Sequence, residues 1–155
     1  MYRSIIWATD GSDGADAALC EALTLASLTR GHIVAVHCDQ RLNGRAAEWP
    51  VVPDEDDHRA RIIQKVAGLS EDGVDIELVI RRSHHEAAAV VAAAAAELGG
   101  DIIVFGTRGH GALAGAFLGS FTQRLLHLAA CPVLAVPELH AAARTAEEDE
   151  LTVVA

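Results

Sequence analysis

The 155-residue sequence predicts an α/β fold, a single domain in which one open parallel sheet is covered by helices on both faces. Five short apolar segments are separated by stretches in which apolar residues recur at helical spacing. These segments are continuous rather than alternating, as in parallel strands that are buried on both sides. Apolar residues make up 51% of the chain but aromatic residues only 4%, so the core is aliphatic.

Two strands and a helix occupy the first third of the chain. Ser4–Thr9 is the first strand, and the helix that follows carries apolar residues from position 15 to position 26 and ends near Gly31. Ile33–Cys38 is the second strand. The segment Asp39–Pro53 is rich in turn residues and predicts a long loop, which in a compact domain is usually functional or mobile.

The middle of the chain predicts two helices around a third strand. Acidic residues at Asp54–Asp57 open the second helix, because negative charge in a first turn complements the helix dipole. Val74–Ile80 is the third strand. Ser83 and Glu86 match a capping box on the third helix, which ends at Gly99-Gly100.

The last two strands enclose the fourth helix. Asp101–Phe105 is the fourth strand. Ser120 and Gln123 repeat the capping-box spacing at the start of the helix. Pro132 ends that helix, and Val133–Val136 is the fifth strand.

A glycine-rich loop runs from Gly106 to Ser120, with the sequence Gly-Thr-Arg-Gly-His-Gly-Ala-Leu-Ala-Gly-Ala-Phe-Leu-Gly-Ser. Glycines allow positive φ and let an anion approach the backbone. The N–H groups and dipole of the following helix also favour negative charge. The loop therefore predicts a phosphate cradle and indicates a nucleotide. It is not a Walker A loop, because no Gly-Lys pair follows, and the turn after the first strand lacks the dinucleotide glycine spacing.

Three candidate ligand positions lie where strands end, namely Asp10, Cys38 and Gly106. Ligands on parallel sheets bind beyond the carboxyl ends of the strands, so these residues can converge on one crevice. Two roles remain open for Asp10, a ligand contact or a cap on the first helix. For Ser120 a cap and a phosphate contact are compatible.

The charge of the chain excludes some partners. A formal net charge of −10 disfavours nucleic acid and acidic membrane surfaces. The N-terminal apolar stretch is too short for a signal peptide, and the Ala/Val tract at 87–96 is shorter than the roughly 20 residues of a membrane span.

Cysteines and histidines suggest neither catalysis nor metal binding. The odd number of widely spaced cysteines, Cys20, Cys38 and Cys131, fits reduced thiols in the cytoplasm, and none has a pattern that would activate a nucleophile. His85-Glu86 does not complete a zinc motif, because Ala89 stands where the second histidine would fall.

The full glycine pattern is Gly106, two residues, Gly109, nine residues, then Gly119-Ser120, followed by a helix and Cys131–Pro137. It resembles the ATP-binding branch of the universal stress protein family, over residues 1–137. Three further segments share this resemblance, namely Ala8–Ser12, Val36–Cys38 and Asp101–Gly109.

The resemblance implies a Rossmann-like sheet of order 3-2-1-4-5, a homodimer through the last strand Val133–Val136, and a site for ATP with Mg²⁺. The residues that it assigns to the nucleotide are Asp10 on the ribose or adenine side, the backbone of Ala8 and Cys38 at the adenine, Gly106, Arg108, Gly109, Gly119 and Ser120 around the ribose and phosphates, and the backbone of Phe121 and Thr122. Ala8 and Cys38 replace residues more usual in the family, but both contacts come from the backbone.

The expected function is that of a cytoplasmic stress-response protein with ATP as a regulatory or slowly hydrolysed ligand. No residue stands out as a general base, so we assign no catalytic residue and expect at most weak ATPase activity. A nucleotide-independent dimeric interaction protein and an adenylating enzyme remain as alternatives. Residues 138–155 are an acidic extension that is disordered or pairs with a partner chain.

Overall fold

The computed structural model describes residues 1–39, 55–83, 85–107 and 119–137. Strands and helices alternate along them: β1 Ser4–Ala8, α1 Asp13–Thr29, β2 His32–Asp39, α2 Glu55–Glu71, β3 Ile76–Arg82, α3 Ala87–Glu97, β4 Ile102–Gly106, α4 Ser120–Leu128 and β5 Val133–Val136. The strands form one parallel sheet in the order β3-β2-β1-β4-β5. The predicted fold class and strand order are confirmed.

An apolar cluster covers each face of the sheet. On one face α1 and α2 pack against side chains that include Ile5, Trp7 and Val104. On the other, α3 and α4 pack against side chains that include Ile6 and Phe105. Successive side chains of a strand point to opposite faces of the sheet. Because helices cover both faces, all five residues of β1 are buried. This two-sided burial explains the continuous apolar segments of the sequence.

Both predicted capping boxes are wrong. Helix α3 begins at Ala87, and its N-cap Glu86 makes no side-chain cap, because the Glu86 carboxylate accepts a hydrogen bond from Arg124 Nε at 2.9 Å. Ser83 Oγ accepts from the His85 N–H instead. In α4 the N-cap is Gly119, and Ser120 is the first helical residue.

Several element boundaries differ from the predictions by one or two residues, and two of them have a local explanation. Helix α1 ends at Thr29, two residues before Gly31, because Arg30 adopts the left-handed conformation at φ 54°. Strand β3 begins two residues later than predicted, at Ile76. The Val74 N–H donates to the Leu69 carbonyl at 3.0 Å, so Val74 belongs to the turn that ends α2.

Some predicted features lie outside the described residues. These are residues 40–54 of the predicted loop, Arg108 and Gly109 within the glycine-rich loop, and the extension 138–155. Among the helices that the structure describes, none has the length and apolar character needed to cross a bilayer.

Candidate functional site

The carboxyl ends of β1, β2 and β4 lie side by side at one edge of the sheet. Ala8, the last residue of β1, is in register with Val36 of β2 and Phe105 of β4. The chain continues from β1 to β2 on one side, whereas β4 lies on the other side of β1. The strand order therefore reverses between β1 and β4, and open α/β sheets bind ligands beyond such a point.

Gly106 ends β4 in close contact with α1. A Cβ placed on Gly106 would lie 2.3 Å from the carbonyl oxygen of Gly14 and 2.4 Å from its carbonyl carbon. Such distances cannot be relieved by a side-chain rotation, because the opposing atoms are backbone. The glycine at position 106 is therefore required by the packing of β4 on α1, whatever ligand binds nearby.

Gly119 has a different environment, at the start of α4. Among the described residues, a Cβ placed there would meet the Thr107 carbonyl oxygen at 3.8 Å, which is ordinary van der Waals contact. As a glycine, this N-cap has no side chain that could satisfy the first-turn N–H groups of α4. The space in front of these amides and their partial positive charge suit an anion.

The next three residues fix α4 to the end of β4. The Phe121 ring packs edge-to-face on Phe105, with ring centroids 5.4 Å apart. Thr122 is buried, whereas Ser120 is exposed at the N-terminus of the helix. The last residue of the predicted phosphate cradle, Ser120, thus lies next to two residues that pack into the fold.

The turn after β1 is held by its own side chains. Asp10 Oδ1 accepts from the Ser12 N–H at 3.0 Å, and Thr9 Oγ1 accepts from the Gly11 N–H at 3.2 Å. Ser12 Oγ accepts from the Ala15 N–H and is the N-cap of α1. The N-cap of α1 is therefore Ser12 and not Asp10, and Asp10 lies half-buried beyond the carboxyl end of β1.

Cys38 lies half-buried near the end of β2, in register with Arg81 of β3. Beside it, the imidazole Nδ1 of buried His37 is 2.9 Å from the Thr9 carbonyl oxygen. That contact ties the end of β2 to the turn after β1. The backbone of Cys38 and the Asp10 turn consequently lie close together at this edge of the sheet.

Sequence reasoning missed Asp39, which it assigned to the loop. Asp39 ends β2 and is fully buried, with Oδ2 at 3.9 Å from Arg59 Nη1 and 3.6 Å from Arg82 Nε. No local signal in the sequence marks Asp39 as part of β2, because its place in the strand shows only in its pairing with Arg82 of β3.

The environments of the Cys131 thiol and of the described metal-ligating side chains bear on further chemistry. The three cysteines are free thiols, and burial raises the pKa of the Cys131 thiol, with the charge of Asp101 adding to the effect. A raised pKa disfavours the nucleophilic thiolate. Across residues 1–39, 55–83, 85–107 and 119–137, no group of three or more His, Cys, Asp or Glu residues could hold a metal ion.

A cleft of about 360 Å³ opens between α1 and α2. Thr9 and Gly11 belong to its lining, together with the ion pair between Lys65 and Asp16. The described residues that line it include neither Gly106 nor Gly119. The described lining of the cleft therefore borders the turn after β1 and includes neither of these two glycines.

The sequence of this chain is similar to those of known proteins. The model of the universal stress protein family matches residues 1–137. A universal stress protein of Thermus aquaticus is 33% identical over 138 residues, which cover 88% of this chain and 99% of that protein. A universal stress protein of Mycobacterium tuberculosis is 27% identical over 143 residues, covering 86% of this chain and 48% of the relative. The chain thus spans about half the length of the mycobacterial relatives that it matches.

One solved structure, a universal stress protein in complex with cAMP, is 23% identical and superimposes with a TM-score of 0.65, covering 87% of this chain and 97% of the other. At this identity the likeness concerns the fold.

Proposed function

Because this chain belongs to the universal stress protein family, we propose that it is a stress-response protein of the cytoplasm that binds ATP. The nucleotide lies in the crevice between the ends of β1, β2 and β4. It serves as a regulatory or slowly hydrolysed ligand.

The start of α4 is the observation that carries the proposal. Its N-cap is a glycine, which has no side chain to cap the first-turn amides, and within the described part of the chain a Cβ on Gly119 would make an ordinary contact of 3.8 Å with the Thr107 carbonyl oxygen. The helix stands directly beyond β4 at the point where the strand order reverses. These are the properties of an anion site on a helix N-terminus, and Ser120 is exposed there to contact phosphate.

The base and ribose belong on the other side of the crevice. Asp10 offers a half-buried carboxylate to the ribose hydroxyls, and the backbone of Ala8 and Cys38 faces the adenine. The hydrogen bonds of the Asp10 turn and the contact of His37 with Thr9 hold these groups in place. Arg108 and Gly109 complete the phosphate side in this proposal.

Mg²⁺ enters this site with the nucleotide. It prefers oxygen ligands and keeps several waters, so the phosphate oxygens and water can supply most of its coordination. The ion neutralises part of the phosphate charge, and the amides of α4 stabilise the rest.

Hydrolysis is slow in this proposal. Phosphoryl transfer needs a positioned water and charge stabilisation on the transferring group. Asp10, the acidic residue at the described edge of the crevice, accepts from the Ser12 N–H and lies on the ribose side.

A relative of the same fold binds cAMP, so AMP and cAMP are ligands to compare with ATP.

We also propose a homodimer through β5. The Thr107 N–H donates to the Val136 carbonyl at 2.9 Å. The alternation of a parallel ladder then directs the N–H groups of Val133 and Ala135 to the outer edge of the sheet. An edge strand of this kind is a template for pairing with a second chain. A dimer that binds no nucleotide is the second candidate function, and this edge is the feature that favours it.

Thermal unfolding with added ligands distinguishes the two functions. ATP with Mg²⁺ at 100 times its dissociation constant stabilises the fold by about 2.7 kcal/mol. For a chain of this length the midpoint then rises by about 5 to 11 °C. NAD should leave the midpoint unchanged. A midpoint that responds to no adenine nucleotide would favour the nucleotide-independent dimer. Mass spectrometry of ligand released from the denatured protein identifies what is bound after purification.

A further inference from the structure

We propose that Asp39 is a positioning residue for the base end of the nucleotide site and acts through Arg59 on the first turn of α2. The inference rests on the proposed function, because it concerns how that site is held in shape.

Asp39 joins three elements through one buried carboxylate. It is fully buried at the end of β2, and Oδ2 faces Arg59 of α2 and Arg82 of β3 at 3.9 and 3.6 Å. Its backbone carbonyl accepts from the Ser83 N–H at 3.3 Å. A carboxylate is rarely fully buried unless it is paired, and removing one partner of a buried pair is strongly destabilising. The cluster therefore fixes α2 and the end of β3 to the end of β2.

The first turn of α2 lies directly on the turn after β1. A Cβ on Gly11 would meet the Cβ and the carbonyl oxygen of His58 at 3.3 Å, and Gly11 has a φ of +78°. His58 is buried and immediately precedes Arg59. The ion pair of Arg59 with Asp39 thus holds in place the turn of α2 that packs on Asp10-Gly11-Ser12.

Both neighbours of this cluster belong to the base and ribose side of the proposed site. Cys38 directly precedes Asp39, and Asp10 directly precedes Gly11. The phosphate side begins beyond β4, two strands from β2, at a distance of about 10 Å across the sheet. Loosening the cluster should therefore weaken contacts to adenosine and leave contacts to the phosphates unchanged.

The chain offers a matched pair of variants, Arg59→Met and Arg82→Met. Each removes one positive charge that faces the same carboxylate, but only Arg59 belongs to α2. The Arg59 side chain is 30% exposed and that of Arg82 is 71% exposed. Binding of adenosine, Mg²⁺-ATP and Mg²⁺-tripolyphosphate is measured by competition against a fluorescent ATP analogue, on the full chain.

We expect Arg59→Met to weaken adenosine and ATP by about three- to thirtyfold, the range of mutations that act on a site without touching its ligand. Tripolyphosphate affinity in this variant, and all three affinities in Arg82→Met, should stay within about twofold of wild type. Arg59→Lys, which restores the charge, should recover most of the adenosine affinity. Arg59→Gln provides the same comparison if Arg59→Met does not fold.

Three results would overturn the inference alone. These are an unchanged adenosine affinity in Arg59→Met, an equal loss in both variants (a long-range effect of charge), and a loss for tripolyphosphate as large as that for adenosine (a general loosening of the fold). Wild-type protein that binds neither ATP nor tripolyphosphate would instead overturn the proposed function, and this inference with it.

Discussion

Substituting alanine for Gly119 tests whether the start of α4 contacts phosphate. Within residues 1–39, 55–83, 85–107 and 119–137, the nearest atom to the added methyl group is the Thr107 carbonyl oxygen, at 3.8 Å. The backbone of Gly119, at φ −62° and ψ 157°, is also open to alanine. The fold therefore tolerates this substitution, and the methyl group projects into the space that the proposed phosphates use.

Two opposing terms set the stability of this variant. Alanine is a poorer N-cap than glycine, a cost of up to about 1 kcal/mol. It also restricts the unfolded chain, a gain of about 0.4 to 1 kcal/mol. The midpoint of thermal unfolding should therefore move by no more than about 4 °C. Crowding a close-packed contact costs about 1 to 3 kcal/mol, so the affinity for ATP should fall by about five- to hundredfold.

Calorimetric titration with Mg²⁺-ATP measures the affinity, and two glycines serve as controls. Gly68→Ala lies in α2 with nothing within 4 Å of the new methyl group, so it should gain about 1 kcal/mol in stability and keep its affinity for ATP. Gly106→Ala places a methyl group 2.3 Å from the Gly14 carbonyl oxygen. It should lower the midpoint by about 2 to 12 °C or prevent folding.

The reasoning would be refuted by a Gly119→Ala protein that folds as wild type and binds ATP with wild-type affinity. The phosphates would then lie away from the start of α4. A Gly106→Ala protein with unchanged stability would refute the packing role assigned to Gly106.

Three further variants test other parts of the structure. Two backbone N–H groups at the start of β1 donate to Asp101 at 2.7 and 3.0 Å and lower its pKa from the ordinary value of 3.8. In urea titrations at neutral pH, Asp101→Asn should therefore have a lower free energy of unfolding than wild type. The difference in free energy between the two proteins should shrink as the pH falls below 3.8 through the lowered pKa, and a difference that stays constant with pH would contradict this. Ala135→Pro removes an N–H group that points outward from the edge strand β5. Sedimentation velocity should show that the proposed dimer is replaced by folded monomer, and an unaffected dimer would exclude pairing through this edge. Trp7 is 1% exposed, and its Nε1–H donates to the Ala15 carbonyl at 2.9 Å. Trp7→Phe should therefore lower the free energy of unfolding by about 1 to 3 kcal/mol in urea titrations. An unchanged free energy of unfolding would argue against that hydrogen bond.

Local sequence signals located the strands and helices because those signals act within a few residues. Strand β5 was predicted at its observed bounds, Val133–Val136, since Pro132 and Pro137 bracket a short apolar segment. Signals for helix starts were less reliable. Glu86 has the right spacing for a capping box but pairs with Arg124 of α4, a contact between residues 38 positions apart.

The candidate site likewise has features that the sequence could predict and features that only the fold shows. Its place at the carboxyl ends of β1, β2 and β4 followed from the alternation of strands and helices together with the glycine pattern. The sequence could not show that Gly106 is packed against Gly14, that Ser12 rather than Asp10 caps α1, or that Asp39 is buried between Arg59 and Arg82.

The order of apolar segments and glycines in the chain was enough to determine a parallel α/β sheet and the edge where a ligand would bind, because hydrophobic periodicity and backbone freedom are properties of short segments. The tertiary structure alone decided that Gly106 is needed for packing, that a Cβ on Gly119 would make only an ordinary contact with the described residues, and that the charged side chain of Asp39 is buried. Those outcomes depend on atoms that are far apart in the sequence and meet only when the helices close over the sheet.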